Sequence, residues 1–196
     1  GLYKNQILML DILSKNDWKR PIYFTGGSYK DSEYLWMKDF LQLDGLVYKL
    51  VPIKTPINQD NPYQMGRIEP HRMYDIVKKW EWGNSESSEI YHDPETRKNS
   101  ISFRGNLHRL AESFVSIGEN VKAKEIMDLS FEKMPLEYFE YYSLSEPYIS
   151  TYYKIGEKDK AQKLYGDIEK KYLDQIKYYS NSLENYPDFF SISDYA

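Results

Sequence analysis

Ile117-Gly118-Glu119-Asn120-Val121-Lys122-Ala123 returns as Ile155-Gly156-Glu157-Lys158-Asp159-Lys160-Ala161, an offset of 38 residues between Gly118 and Gly156. A motif repeated at such a period marks helix-turn-helix units set side by side. The glycine ends one helix, and the small Ala123 and Ala161 let the next helix approach closely. Working outward, Leu107, Leu110, Ala111 and Phe114 supply the apolar side of the first helix. Met127 continues the second and Pro135 closes it. The later copy is looser, with Tyr148, Ile149 and Tyr152 in its first helix and Ala161 and Tyr165 in its second.

This spacing is tetratricopeptide-like, with the extra length over the usual period of about 34 residues lying in Tyr138 to Glu146. Two copies are fewer than the roughly three that such stacks need, so neighbouring helices must cover the ends. Ahead of the repeats the pattern changes. Gln6 to Leu13 reads as a helix, and Pro21-Ile22-Tyr23-Phe24-Thr25 as a short strand opened by proline. Asp31 or Ser32 caps a second helix running to about Leu43, with Asp44-Gly45 as its stop. Leu46 to Val51 forms another strand, ended by Pro52. Strand, helix and strand in that order predict a βαβ unit with a parallel strand pair. His71 to Trp80 forms a further helix, and Gly83 to Ser88 a polar loop. The expected fold class is therefore α+β, with a small βαβ-type part over residues 1–100 and a helical-repeat part over residues 101–196.

Composition narrows the function. The chain has 196 residues, 41% hydrophobic and 29% charged, which suits an ordered core. Its net charge of -4 disfavours a general nucleic-acid binder, which carries a basic patch. The excess acid lies wholly in residues 101–196, since residues 1–100 balance. The longest aliphatic run, Ile7-Leu8-Met9-Leu10, is far short of the roughly 20 residues that span a bilayer, so direct membrane insertion by this stretch is not expected. No signal-peptide pattern opens it. With no cysteine, thiol catalysis and zinc-thiolate sites drop out.

The remaining chemistry is sparse. His71, His92 and His108 lack any metal-ligand spacing and read as surface or satisfied structural histidines. Gly26-Gly27-Ser28 sits where a phosphate loop can form but lacks its lysine and its glycine spacing, so it reads as a turn. Glu137 and Glu140, one helical turn apart among tyrosines, read as solvated acids rather than a glycosidase pair. No catalytic set, metal site or cofactor is expected. Aromatics are the unusual feature: 20 Tyr, 8 Phe and 4 Trp make 16% of the chain. Runs such as Tyr138-Phe139-Glu140-Tyr141-Tyr142 point in several directions from a helix, so some rings pack between helices and others reach the surface to meet a peptide or a sugar ring.

Asp17-Trp18-Lys19-Arg20-Pro21-Ile22-Tyr23-Phe24 and Leu41 to Pro52 carry a family resemblance, continued by Tyr74-Asp75, Trp82-Gly83-Asn84 and Tyr91-His92-Asp93-Pro94-Glu95-Thr96. Together with Leu110-Ala111, Gly118 and Lys122-Ala123, these stretches resemble the soluble C-terminal region of a bacterial multi-pass membrane-protein family of unknown function. The membrane part of that family is similar to protein O-mannosyltransferases. The likeness covers roughly residues 5 to 135. It implies a parent with a membrane-embedded, lipid-linked-sugar-using portion, of which this stretch is the extramembrane tail on the periplasmic side. It transfers no catalytic residue here. Trp18, Arg20, Pro21, Gly45 and Pro52 are its signature positions, with architectural roles at a strand entry, a helix stop and a strand end.

Two functions follow as expectations. The first is a non-catalytic binding module for a protein partner, an acceptor polypeptide or the membrane portion of its own parent. In the repeat register, His108, Arg109, Glu112 and Ser116 face the partner in the first copy, and Tyr153 and Lys154 in the second. The alternative is a glycan-binding or glycan-processing domain built on aromatic platforms and carboxylates, for which a deep cleft with converging acids is the structural sign.

Overall fold

Asp44-Gly45-Leu46-Val47 turns the chain back on itself, and a small sheet grows from that turn. Strand β1 (Tyr23–Phe24) comes first in sequence, and β2 (Leu41–Asp44) and β3 (Val47–Leu50) flank the turn. Asp44 lies opposite Val47 and Leu41 opposite Leu50, so β2 and β3 form an antiparallel hairpin with a two-residue loop. Gly45 takes φ +73° at the first loop position, where glycine lets the turn twist with its strands. Strand β1 pairs antiparallel with the other edge of β3, Tyr23 opposite Lys49, giving the order β1-β3-β2 among the described residues. The structure, a computed structural model, describes residues 1–25, 34–55 and 65–185.

The expected parallel pair is therefore corrected to an antiparallel sheet. Leu35, Trp36, Phe40 and Leu43 suit a helix, but only Leu35–Phe40 coils, as a 3-10 helix. Leu41 and Leu43 alternate with Gln42 and Asp44, and a hairpin at Gly45 satisfies that backbone against β3. Gly45 is thus a hairpin turn and not a helix stop. The proposed cap at Asp31 or Ser32 and the Gly26-Gly27-Ser28 turn lie outside the described residues.

Strand β2 is buried on both sides. Leu41 and Leu43 have no exposed surface, and Leu41 joins Tyr34, Met37 and Leu50 in one apolar cluster. Its polar side is satisfied internally: Gln42 Nε2 donates to Asp44 Oδ1 at 2.8 Å, and Arg72 Nε donates to Asp44 Oδ2 at 3.0 Å. Helix α1 (Lys4–Asn16) lays Met9 and Leu13 against the cluster and buries Gln6, a narrow i, i+3, i+7 stripe. Ile7, Leu8, Leu10 and Ile12, on its remaining faces, are exposed.

Helix α2 (Pro70–Val77) is capped by Glu69, whose side chain accepts from the Arg72 N–H, with proline in its first turn. Helix α3 (Pro94–Ser116) begins the same way at Asp93, which accepts from the N–H groups of Glu95 and Thr96. Helix α4 (Asn120–Lys133) folds back along α3. Leu107, Leu110, Ala111 and Phe114 meet Ala123, Ile126 and Met127 in a fully buried seam, each large side chain stabilising the fold by roughly 1.5–3 kcal/mol. The short α5 (Leu136–Phe139) follows and packs on α3.

The chain divides into two compact units, Gly1–Glu140 and Tyr141–Ala196. Residues 100 and 101, where the halves differ in composition, are consecutive residues of α3. The second unit is itself a helical hairpin of α6 (Glu146–Lys154) and α7 (Lys158–Asn185). Its turn repeats the two capping bonds of the first. Gly118 N–H donates to Val115 O at 3.1 Å and Glu119 N–H to Phe114 O at 2.9 Å. Gly156 N–H donates to Tyr153 O at 3.1 Å and Glu157 N–H to Tyr152 O at 2.9 Å. This pair of bonds is the Schellman motif, and both glycines sit at positive φ, +79° and +87°.

Candidate functional site

Ser113 and Ser116 follow Arg109 and Glu112 on one side of α3, at the three- and four-residue spacing that makes helix neighbours. With Ile68 they line a cavity of about 270 Å³. Three of the four residues expected on the first repeat face, Arg109, Glu112 and Ser116, are thus brought together, and Ser113 is added to them. The sequence offered no separate signal for Ser113.

The cavity is rich in hydrogen-bond acceptors. The Ser113 hydroxyl donates to Arg109 O at 2.9 Å, and that of Ser116 to Ser113 O at 2.7 Å. Their protons are committed to the helix, so both oxygens present lone pairs, beside the half-exposed carboxylate of Glu112. Arg109 is anchored at one edge, with Nη2 donating to Gly66 O at 2.8 Å. Burial lowers the pKa of its guanidinium, partly offset by the Tyr48 hydroxyl. Arg109 therefore ties α3 to the segment after β3 as well as lining the site.

His108 does not line the cavity. It is buried, and its Nδ1 stands 3.7 Å from Glu112 Oε2, an ion-pair distance longer than a hydrogen bond. Tyr153 and Lys154 are exposed at the C-terminal end of α6 in the other compact unit. At the turn between α3 and α4 lies a small charged cluster. Glu119 accepts from Lys122 at 2.8 Å and approaches His71 Nε2 at 3.1 Å. The Lys122 bond, then burial acting against it, and then the His71 charge set the Glu119 carboxyl below its ordinary value.

The signature positions fall in turns and next to strands. Trp18 is exposed at φ +55° in the turn after α1. The Arg20 N–H donates to Asn16 Oδ1 at 3.1 Å, and its carbonyl accepts from Asn16 Nδ2 at 2.7 Å, closing that turn before Pro21 and β1. A Cβ on Gly45 would meet Trp80 Cζ2 at 3.0 Å, and the Gly45 carbonyl accepts from Asn106 Nδ2 at 2.9 Å. Pro52 is exposed just beyond β3.

A second cavity, of about 360 Å³, opens where the segment between α2 and α3 passes the first turns of α3. Trp82 and Phe103 wall it, with ring centroids 5.7 Å apart, and His92 borders it. His92 departs from the expected satisfied or surface histidine: it is only 9% exposed, and neither ring nitrogen has a hydrogen-bond partner among the described residues. The one sequence hint was the Trp80-Glu81-Trp82 pair, because closely spaced tryptophans cannot all enter a core. Among the described residues, no group of three or more His, Asp or Glu side chains is placed to hold a metal ion.

Residues 1–72 match the family model described as TMEM260-associated domain 2. No curated protein and no solved structure matches the chain. None of the described helices is long and apolar enough to cross a membrane.

Proposed function

We propose that this chain is the extramembrane part of a membrane-associated protein and serves there as a non-catalytic module that holds a polypeptide along α3. The carrying observation is the convergence of Glu112, Ser113 and Ser116 on one cavity, with both hydroxyl protons already committed to the helix. Such a surface is complementary to N–H donors, which a polypeptide offers along its backbone and in its lysine side chains. The acidic balance of residues 101–196 favours a basic segment.

The match of residues 1–72 to TMEM260-associated domain 2 supports the membrane-associated parent. The matching caps at Gly118 and Gly156 support a tetratricopeptide-like origin for the two hairpins. The resemblance of Asp17 to Phe24 and Leu41 to Pro52 supports a periplasmic position beside a glycosyltransferase-like membrane portion, which is itself a candidate partner. Glycan processing at this cavity is disfavoured, because Glu112 is its one carboxylate among the described residues and hydrolysis uses two.

Photocrosslinking in native membranes tests the reading. A benzophenone side chain at Ser116 of the full-length parent should label a defined peptide, and Glu112→Lys should abolish that label while leaving the melting temperature unchanged. The same probe at the exposed Val121 serves as the comparison. Equal labelling from both positions, or no polypeptide label from Ser116, would overturn the proposal.

A further inference from the structure

The cavity walled by Trp82 and Phe103 shares no residue with the one on α3, and its chemistry is different. Its volume of about 360 Å³ falls within the range of small-molecule sites, roughly 300–1,000 Å³. One side is aromatic. Trp82 and Phe103 form a triangle of rings with Trp80, whose centroids lie 5.5 Å from Trp82 and 5.2 Å from Phe103. The triangle holds the two lining rings in place.

The other side is polar without being cationic. The hydroxyl of Ser85 donates to Lys133 O at 2.6 Å, that of Thr96 to Asp93 Oδ2 at 2.7 Å, and that of Ser100 to Arg97 O at 2.7 Å. All three hydroxyls have given up their protons; Ser100 is buried, and the accessible Ser85 and Thr96 meet a ligand as acceptors, as does the carboxylate of Glu81. Among the described residues, no lysine or arginine borders the cavity, which disfavours phosphate and other anions as occupants.

His92 borders the cavity and can report on it. Its ring is held against Phe139, with centroids 4.7 Å apart, and against Tyr138 at 6.0 Å. Both ring nitrogens are buried, so the imidazole is a neighbour of an occupant rather than its hydrogen-bond partner.

We propose that this cavity binds a neutral saccharide ring, with Trp82 as its stacking platform and Glu81, Ser85, Thr96 and Asn99 as its hydrogen-bonding partners. The C–H face of a pyranose lies on the Trp82 ring, while its hydroxyls donate to Glu81, Ser85, Thr96 and the side-chain carbonyl of Asn99. An aromatic side chain from a partner fills the apolar side equally well but brings no donors for these acceptors. Leaving polar groups dry and unpaired is what makes such a pocket reject the wrong ligand.

The test is a titration of the chain with a panel of methyl hexopyranosides, read by tryptophan fluorescence and by the ring ¹⁵N signals of His92. Saturable movement of the His92 signals is expected with at least one glycoside. Trp82→Ala and Asn99→Ala should each weaken that binding about tenfold, the effect of losing one good contact. Asn99 is an exposed lining residue, so its variant remains informative if Trp82→Ala impairs folding. Unchanged His92 signals with every glycoside up to its solubility limit would overturn the proposal, as would equal binding by the wild type and Asn99→Ala. Saturation by N-acetyltyrosine amide without any response to glycosides would also overturn it, making the cavity a socket for an aromatic side chain.

Discussion

Arg104 on α3 donates through Nη2 to the Met134 carbonyl at 2.6 Å, from a side chain with no exposed surface. Met134 is the C-cap residue just after α4, so an arginine from one helix of the hairpin caps the other. The guanidinium also lies over the Phe131 ring, 4.8 Å from its centroid. Truncation leaves a cavity and a dry carbonyl together. Arg104→Ala should therefore lower the unfolding free energy by about 2–4 kcal/mol, with Arg104→Met recovering part of the loss by filling the space. Urea denaturation of the two variants measures this, and a loss for Arg104→Ala below about 1 kcal/mol would mean that the cap contributes little.

Two glycines separate backbone strain from crowding. Gly45 and Gly118 share a positive φ, +73° and +79°. A Cβ at Gly118 meets open space, whereas one at Gly45 meets Trp80 Cζ2 at 3.0 Å and Ile76 Cγ2 at 3.3 Å. Gly118→Ala should cost about 1 kcal/mol from conformation alone, and Gly45→Ala about 2–3 kcal/mol. Equal melting temperatures for the two variants would show that Trp80 and Ile76 yield without cost.

Glu125 on α4 joins α2 at two points. The Lys78 ammonium donates to its Oε1 at 2.7 Å and the Tyr74 hydroxyl to its Oε2 at 2.7 Å. These bonds, Lys78 first, hold its carboxyl below the ordinary value of 4.5. A depressed acid stabilises the fold above its unfolded pKa, and that stability is lost as pH falls through the folded pKa. Both side chains of the ion pair are more than a third exposed, so screening limits its contribution to about 0.5 kcal/mol. Glu125→Gln should lower stability by about 0.5 kcal/mol at pH 7, a difference that vanishes as the pH falls well below 4.5, so the acid limb of its melting-temperature profile is flatter than that of the wild type. An unchanged acid limb would count against this role.

Tyr172 on α7 donates to Glu146 Oε1 of α6 at 2.8 Å. Burial first, then this bond and the carboxylate charge, push its phenol from 10.0 up to about 12. A raised pKa means that the contribution is complete below the unfolded value and declines as pH rises from about 10 to about 12. Ultraviolet titration of the wild type against Tyr172→Phe should show the loss of one late-ionising phenol. A difference spectrum that titrates near 10 would contradict it.

Legibility in the sequence followed the range of the interactions. The turn at Gly118 was readable because a Schellman cap is made by six consecutive residues and needs only one glycine at positive φ. Its copy at Gly156 was readable for the same reason. Arg109, Glu112 and Ser116 could be grouped because helix spacing alone sets their common side. His108 defeated that logic, since the adjacent position on α3 turns into the packed interior. The hairpin at Gly45 was misread because Leu35 to Leu43 satisfies helical spacing and strand alternation at once. Which pattern prevails depends on β3 offering its edge and α2 covering the polar side through Arg72.

Local periodicity and glycine placement in the sequence thus determined the helices of both hairpins, their turns and one face of α3, because these rest on bonds between residues a few positions apart. Pairing of β1, β2 and β3, the burial of Arg104 and the unpartnered nitrogens of His92 were decided only by tertiary structure. Each depends on groups that meet from distant parts of the chain: Tyr23 with Lys49, Arg104 with Met134, and His92 with Phe139. A sequence displays the donors and acceptors, but only packing settles which of them find one another and which are left buried without a partner.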